Sequence, residues 1–187
     1  PARLDDIANW GWRPHWKPAV AGFERDDLAE VPPQSWLVFL DETGMGERLV
    51  ACLRQKGHEV TTVSVGDGFE QISPQSYQLC PEDGKAGYDA LVSSLVEGTG
   101  FPSQVVHLWL VTADETHRRG SSFFEKTQEH GFYSLFHLAQ AMGDAAVADV
   151  HMTVVTNGMQ RLGDEPLPYP GKATVLGPAL VIPKELD

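Results

Sequence analysis

Four groups of residues in this 187-residue chain carry side chains that could do chemistry. The first is Tyr169-Pro170-Gly171-Lys172. A phenol can pass its proton to a carbonyl during hydride transfer when a lysine four residues on, one helical turn away, holds an ammonium beside the hydroxyl and lowers its pKa. Here the lysine stands three residues on, Ala173 occupies the required position, and proline and glycine oppose a helix between the two. Tyr77, Tyr88 and Tyr133 are followed at that spacing by Pro81, Val92 and His137. No tyrosine has the lysine this chemistry needs.

The second group is the turn Asp41-Glu42-Thr43-Gly44-Met45-Gly46-Glu47. A loop that cradles a dinucleotide pyrophosphate reads Gly-x-Gly-x-x-Gly, because glycine lets the backbone amides approach the phosphates at a helix N-terminus. Two glycines are present, but Asp41, Glu42 and Glu47 put three carboxylates where a dianion would sit. The sequence predicts a structural turn that binds no cofactor.

The third group is the seven histidines and two cysteines. His130 and His137 could share a helix face, yet no His-x-x-x-His or Glu-x-x-His accompanies them, so they are expected at the surface or at helix caps. Cys52 and Cys80 are too few for a disulfide framework and have no partner at metal-ligand spacing; both are expected as reduced, packed thiols, Cys52 on a helix face. The fourth group is serine. Gly-x-Ser-x-Gly does not occur, and Ser121-Ser122 with Glu125 reads as a capping box opening a helix.

The elements that would position these groups follow from apolar periodicity. Trp36 to Leu40 and Val105 to Val111 are nearly continuous apolar runs, as expected of strands covered on both faces; Glu59 to Val65 is a further strand, and Val150 to Thr156 a fourth core strand. Met45, Leu49, Cys52 and Leu53 mark one helix, and Tyr88, Leu91, Val92, Leu95 and Val96 a second. A third and longest helix spans Ser121 to Met142, with Phe132, Leu135, Phe136, Ala139 and Met142 as its stripe. Phe69 to Leu79 is weakly patterned and could hold short strands, and a short helix is expected near Gly171 to Leu176. Strand alternating with helix is the grammar of an α/β fold, here a degenerate Rossmann-like open parallel sheet with helices on both faces.

Ahead of it, Gly11 to Pro18 alternates Trp12, Pro14, Trp16 and Pro18 with Arg13, His15 and Lys17, which is strand periodicity. The prolines confine such a strand to an edge. Trp12 and Trp16 therefore need cover, either from this domain's own sheet or from a neighbouring domain, and are the candidate docking residues. An acidic stretch, Glu24 to Glu30, leads to Pro32-Pro33, so residues 1–34 are read as edge strand and linker and 35–187 as the α/β domain.

With 42% hydrophobic residues the chain can build a core without disulfides. Its formal charge of −12 repels phosphate backbones and anionic lipids, so neither nucleic acid nor membrane is an expected partner. No apolar run approaches the ~20 residues of a membrane span, and Pro1 to Trp10 lacks the basic and apolar regions of a leader, which predicts a cytoplasmic protein.

Several segments resemble the structural, N-terminal half of ketoreductases in type I modular polyketide synthases, including hybrid peptide–polyketide systems. They are Trp16-Lys17-Pro18, Ser35-Trp36-Leu37-Val38-Phe39 leading to Gly44-Met45-Gly46, Lys56-Gly57-His58-Glu59-Val60, Val106-His107-Leu108-Trp109, Thr153 to Gln160, and Lys172-Ala173-Thr174-Val175-Leu176-Gly177-Pro178 through Val181-Ile182-Pro183-Lys184-Glu185. The likeness spans nearly the whole chain, and the last two segments are the most specific. It implies one of two related Rossmann-like halves of the short-chain dehydrogenase superfamily, the half without cofactor loop or catalytic residues. A following half would bind NADPH and reduce a β-ketoacyl thioester carried on an acyl carrier protein.

The expected function is thus a non-catalytic subdomain with no cofactor of its own. The catalytic half and neighbouring synthase domains are its partners, and the acyl carrier protein an indirect one. Two alternatives share the fold: the scaffold of a pseudo-ketoreductase in a module without reduction, and a divergent short-chain reductase resting on Tyr169 and Lys172. A free-standing docking module for carrier proteins is disfavoured by the acidity of both sides.

Overall fold

Leu37, Val38 and Phe39 have no polar side chain to keep in water, and they end fully buried at the centre of the sheet. A computed structural model describes residues 31–113, 122–161 and 163–185, together with Asp6. The chain divides into two compact units, Pro1–Val31 with Arg161–Pro166 and Pro32–Gln160 with Leu167–Asp187, and the second holds the sheet. Trp12 and Trp16 lie outside the described residues.

Strand β1 (Ser35–Phe39) is flanked by β2 (Glu59–Val65) and β5 (Gln104–Leu110), both parallel to it. β6 (His151–Thr156) extends the sheet beyond β5, also in parallel. On the other side, β4 (Ser76–Leu79) runs parallel to β2, and β3 (Glu70–Ser73) closes the edge antiparallel to β4. The order is β3-β4-β2-β1-β5-β6. The chain builds outward from β1 in one direction and then returns to its other side, so the strand order reverses between β1 and β5.

Helix α1 (Met45–Gln55) covers one face, where Val50 and Leu53 meet Val38, Val60, Val106 and Leu108. Helix α2 (Lys85–Glu97) and the long helical stretch after β5 cover the other, where Tyr88, Leu91, Val92, Leu95, Leu138 and Met142 meet Leu37, Phe39, Val105 and Trp109. The weakly patterned connector forms the hairpin β3–β4, and no helix separates β2 from β4. Ser64, Ser76 and Gln78 are half-buried beside buried Val63, Tyr77 and Leu79 on these two strands, as suits a sheet face left without a covering helix.

Three expectations about faces are corrected. On α1 the buried stripe is Gly46, Val50 and Leu53, while Met45 and Cys52 are exposed. The cause is close approach: a Cβ on Gly46 would stand 3.0 Å from Leu40 and 3.1 Å from Leu108, so the helix rests on the sheet at that glycine and turns Met45 and Cys52 outward. On α2, Val96 is exposed instead of joining the stripe.

The long helix is α3 (Phe123–Thr127), a π-helical segment (Gln128–Tyr133) and α4 (Ser134–Asp144) in succession. Its buried stripe is Leu135, Leu138, Ala141 and Met142, and Phe136 faces outward. Wider π turns rotate the following residues relative to an α-helical count. Apolar residues on two sides of this helix left its face undecided in the sequence. Ser122 also makes no side-chain cap, so the capping box does not form.

The tail turns through a 3-10 segment (Pro170–Val175) into α5 (Leu176–Glu185), longer than the short helix expected there.

Candidate functional site

In open α/β sheets a ligand crevice forms at the carboxyl ends of the strands where their order reverses. Here that position is a crevice of about 440 Å³ lined by Leu40, Asp41, Glu42, Glu47, Trp109, Thr112, Lys126 and His130, among others. Its floor is the turn after β1. Gly44 takes φ 82°, a left-handed conformation that glycine adopts without strain, and it starts α1 so that the first amides point back at Asp41.

The Asp41 carboxylate collects them. Its Oδ2 accepts the amides of Thr43 at 2.9 Å and Met45 at 3.2 Å, together with the Thr43 hydroxyl, and its Oδ1 accepts the Gly46 amide at 2.6 Å. Burial pushes the carboxyl pKa up, but the Thr43 hydroxyl and the amides of Gly46, Met45 and Thr43 together outweigh it and hold the group below the ordinary carboxylate range. The donors that a pyrophosphate would need are thus engaged by a side chain of the protein itself.

The crevice walls add both signs of charge. Lys126 Nζ lies 3.5 Å from Glu42 Oε2. His130 Nε2 lies 4.0 Å from Glu82 Oε1, and the imidazole pKa is lowered, chiefly by burial and then by Lys126. His130 is buried, not a surface or capping histidine, because the π segment turns it toward Trp109. Burial, then Glu82, pushes the Glu129 carboxyl up. Among the described residues, no three or more His, Cys, Asp or Glu side chains converge as a metal site, and no helix is long and apolar enough to cross a membrane. Cys80 is half-buried, with its thiol 3.3 Å from Glu82 Oε2.

Sequence reasoning did not foresee the environment of Lys172. Its side chain is fully buried and its ammonium meets Leu110 O at 2.8 Å, Thr112 Oγ1 at 2.7 Å and Asn157 Oδ1 at 2.7 Å, with Asn157 O at 3.3 Å. Asn157 also joins Thr112 through N–H···O at 3.2 Å and N–H···O=C at 2.8 Å. The Tyr169 hydroxyl donates to Ala113 O at 3.2 Å, and the Lys172 ammonium stands over the Tyr169 ring, 4.3 Å from its centre. Structure therefore brings the two residues together face-on, with the phenol hydroxyl spent on a backbone carbonyl. The only signal in the sequence was a lysine inside an otherwise apolar, proline-bounded stretch.

On the far side of the helical layer α4 and α5 leave an apolar groove of about 630 Å³, lined by Phe132, Phe136, Ala139, Pro178, Val181 and Ile182 among others. Phe136 is 43% exposed, Val181 50% and neighbouring Leu180 66%.

A family model described as "Beta-ketoacyl synthase-like, N-terminal" matches residues 34–160, the stretch from β1 to β6. No curated protein matches the sequence at a significant level. Among solved structures, the adenylation, ketoreductase and pseudo Asub multidomain structure of a keto acid-selecting NRPS module is 21% identical, with TM-score 0.75, over 87% of this chain and 13% of that one. An N-terminal ketoreductase from the macrolactin assembly line is 18% identical, with TM-score 0.57, over 68% of this chain and 26% of that one. These likenesses are of fold, and the Rossmann-like sheet and the ketoreductase resemblance read from the sequence agree with them.

Proposed function

The chain belongs to the beta-ketoacyl synthase-like, N-terminal family, and from that premise we propose that it serves as the structural half of a reducing region in a modular synthase. In this reading it performs no hydride chemistry. It holds a second α/β half that binds NADPH and reduces a β-ketoacyl thioester presented by an acyl carrier protein.

The apolar groove between α4 and α5 carries the proposal. Aromatic and aliphatic side chains left half-exposed on adjacent helices cost solvation free energy unless another surface covers them. Its occupant in this reading is the catalytic half. This chain spans only 13% and 26% of the similar solved chains, both described as containing a ketoreductase, and its own crevice is poorly suited to a nucleotide. Asp41 engages the α1 amides, and Glu42 and Glu47 would repel a phosphate.

The test is reconstitution. The chain and the catalytic half of its parent module, purified separately and mixed, should co-elute, and Phe136→Asp with Val181→Asp should abolish that while leaving the chain folded. Calorimetric binding of NADPH to the chain alone, or reduction of a β-ketoacyl thioester by it, would refute the reading.

A further inference from the structure

We propose that the carboxyl ends of β5 and β6 form a monovalent-cation site whose built-in occupant is the Lys172 ammonium, and that this occupancy positions α5 and with it the α4–α5 groove.

The acceptor set supports this. An ammonium has three hydrogens to donate. Leu110 O, Thr112 Oγ1 and Asn157 Oδ1 supply three short acceptors at 2.7 to 2.8 Å, one for each hydrogen, and Asn157 O stands by at 3.3 Å. Two of these residues, Leu110 and Thr112, lie at the end of β5, and Asn157 lies just after β6. The β5–β6 register shifts between His107 and Leu110, so the two strands part from regular pairing where the cation enters. The Tyr169 ring closes one side.

That ring fits only because Gly158 has no side chain: a Cβ there would lie 2.5 Å from Tyr169 Cδ2. Asn157-Gly158 and Tyr169-Pro170-Gly171-Lys172 are thus two halves of one device. The first shapes the oxygen cage and the second delivers the charge.

Its consequence falls on α5. Of that helix's residues only Pro178 is buried, although Ile182 adds partial cover beside Leu110, Leu135 and Val175. So little burial does not fix a helix by itself. The anchors are Lys172 and Val175 in the preceding 3-10 segment, with Gln128 of the π segment donating to Gly171 O at 3.2 Å. Lys172 is therefore a positioning residue. Its effect on docking rests on the function proposed above, whereas its effect on α5 does not.

Hydrogen exchange separates the two. Lys172→Ala should speed exchange in residues 168–185 by about ten-fold or more while β1, β2 and β5 keep their protection. n-Propylammonium, which replaces the deleted atoms, should restore it; n-propanol, of similar shape without charge, should not. Uniform loss of protection across the sheet, unchanged exchange in 168–185, or equal rescue by the alcohol would overturn the proposal. Should Lys172→Ala not fold, NMR of the unmodified chain decides: slowly exchanging Lys172 ammonium protons are expected at neutral pH, and fast exchange would refute the cage. If exchange behaves as expected but co-elution with the catalytic half never occurs, the docking function fails and the cation site stands.

Discussion

The Asp41 carboxylate accepts the amide of Gly46 at 2.6 Å, so a residue just beyond β1 closes the first turn of the helix that follows it. One side chain thereby caps α1 and fills the position a phosphate would take.

Asp41→Ala should destabilise the chain by about 1–2 kcal/mol, the range for losing a charged N-terminal cap. Because the folded carboxyl pKa is depressed, this stabilisation is present above the unfolded value and is lost as pH falls through the folded one. Urea midpoints of the wild type and variant should differ at neutral pH and draw together as pH falls below the ordinary aspartate pKa and through the depressed folded one. A constant gap across that range would contradict the account.

Gly131 lies so close to β5 that an added Cβ would stand 2.6 Å from Leu110 Cδ1. Leu110 is buried and has little room to retreat. Gly131→Ala should therefore cost about 1–3 kcal/mol despite alanine's better helix propensity. Combining it with Leu110→Val should recover part of the loss, which a double-mutant cycle would read as coupling between the sites.

His107 is fully buried, with Nε2 2.8 Å from Ser134 Oγ and its ring stacked on Phe39. Burial, and to a lesser degree His130, lowers its pKa to about 3. The neutral ring contributes stability that is present above the unfolded histidine pKa, near 6.5, and is lost as pH falls from there toward 3. The slope approaches about 1.4 kcal/mol per pH unit at most. Imidazole NMR shifts of His107 should stay flat from pH 8 to pH 5. Ser134→Ala should cost about 1–3 kcal/mol by leaving that nitrogen without its partner.

Tyr169→Phe removes the hydroxyl bonded to Ala113 O but keeps the ring beneath Lys172. A cost of about 0.5–1.5 kcal/mol in thermal or urea unfolding is expected, as for a single hydrogen bond. A loss of measurable ketone reduction would instead restore the divergent-reductase alternative.

The sequence alone determined the parts of this protein that depend on local composition. Uninterrupted runs such as Leu37-Val38-Phe39 had to be covered on both faces, and the tyrosine–lysine spacing and the carboxylates of Asp41, Glu42 and Glu47 were visible without coordinates. Tertiary structure decided what depends on distant neighbours. Gly46 and Gly131 set how near α1 and the π segment approach the sheet, and so which side of each helix is buried; periodicity cannot choose when a helix such as Phe132 to Met142 is apolar on two sides. Lys172 shows the same limit most clearly, because a lysine's cost of burial depends on which oxygens meet it. Those oxygens belong to residues as far as 62 positions away, brought together only when β5, β6 and the C-terminal segment fold against one another.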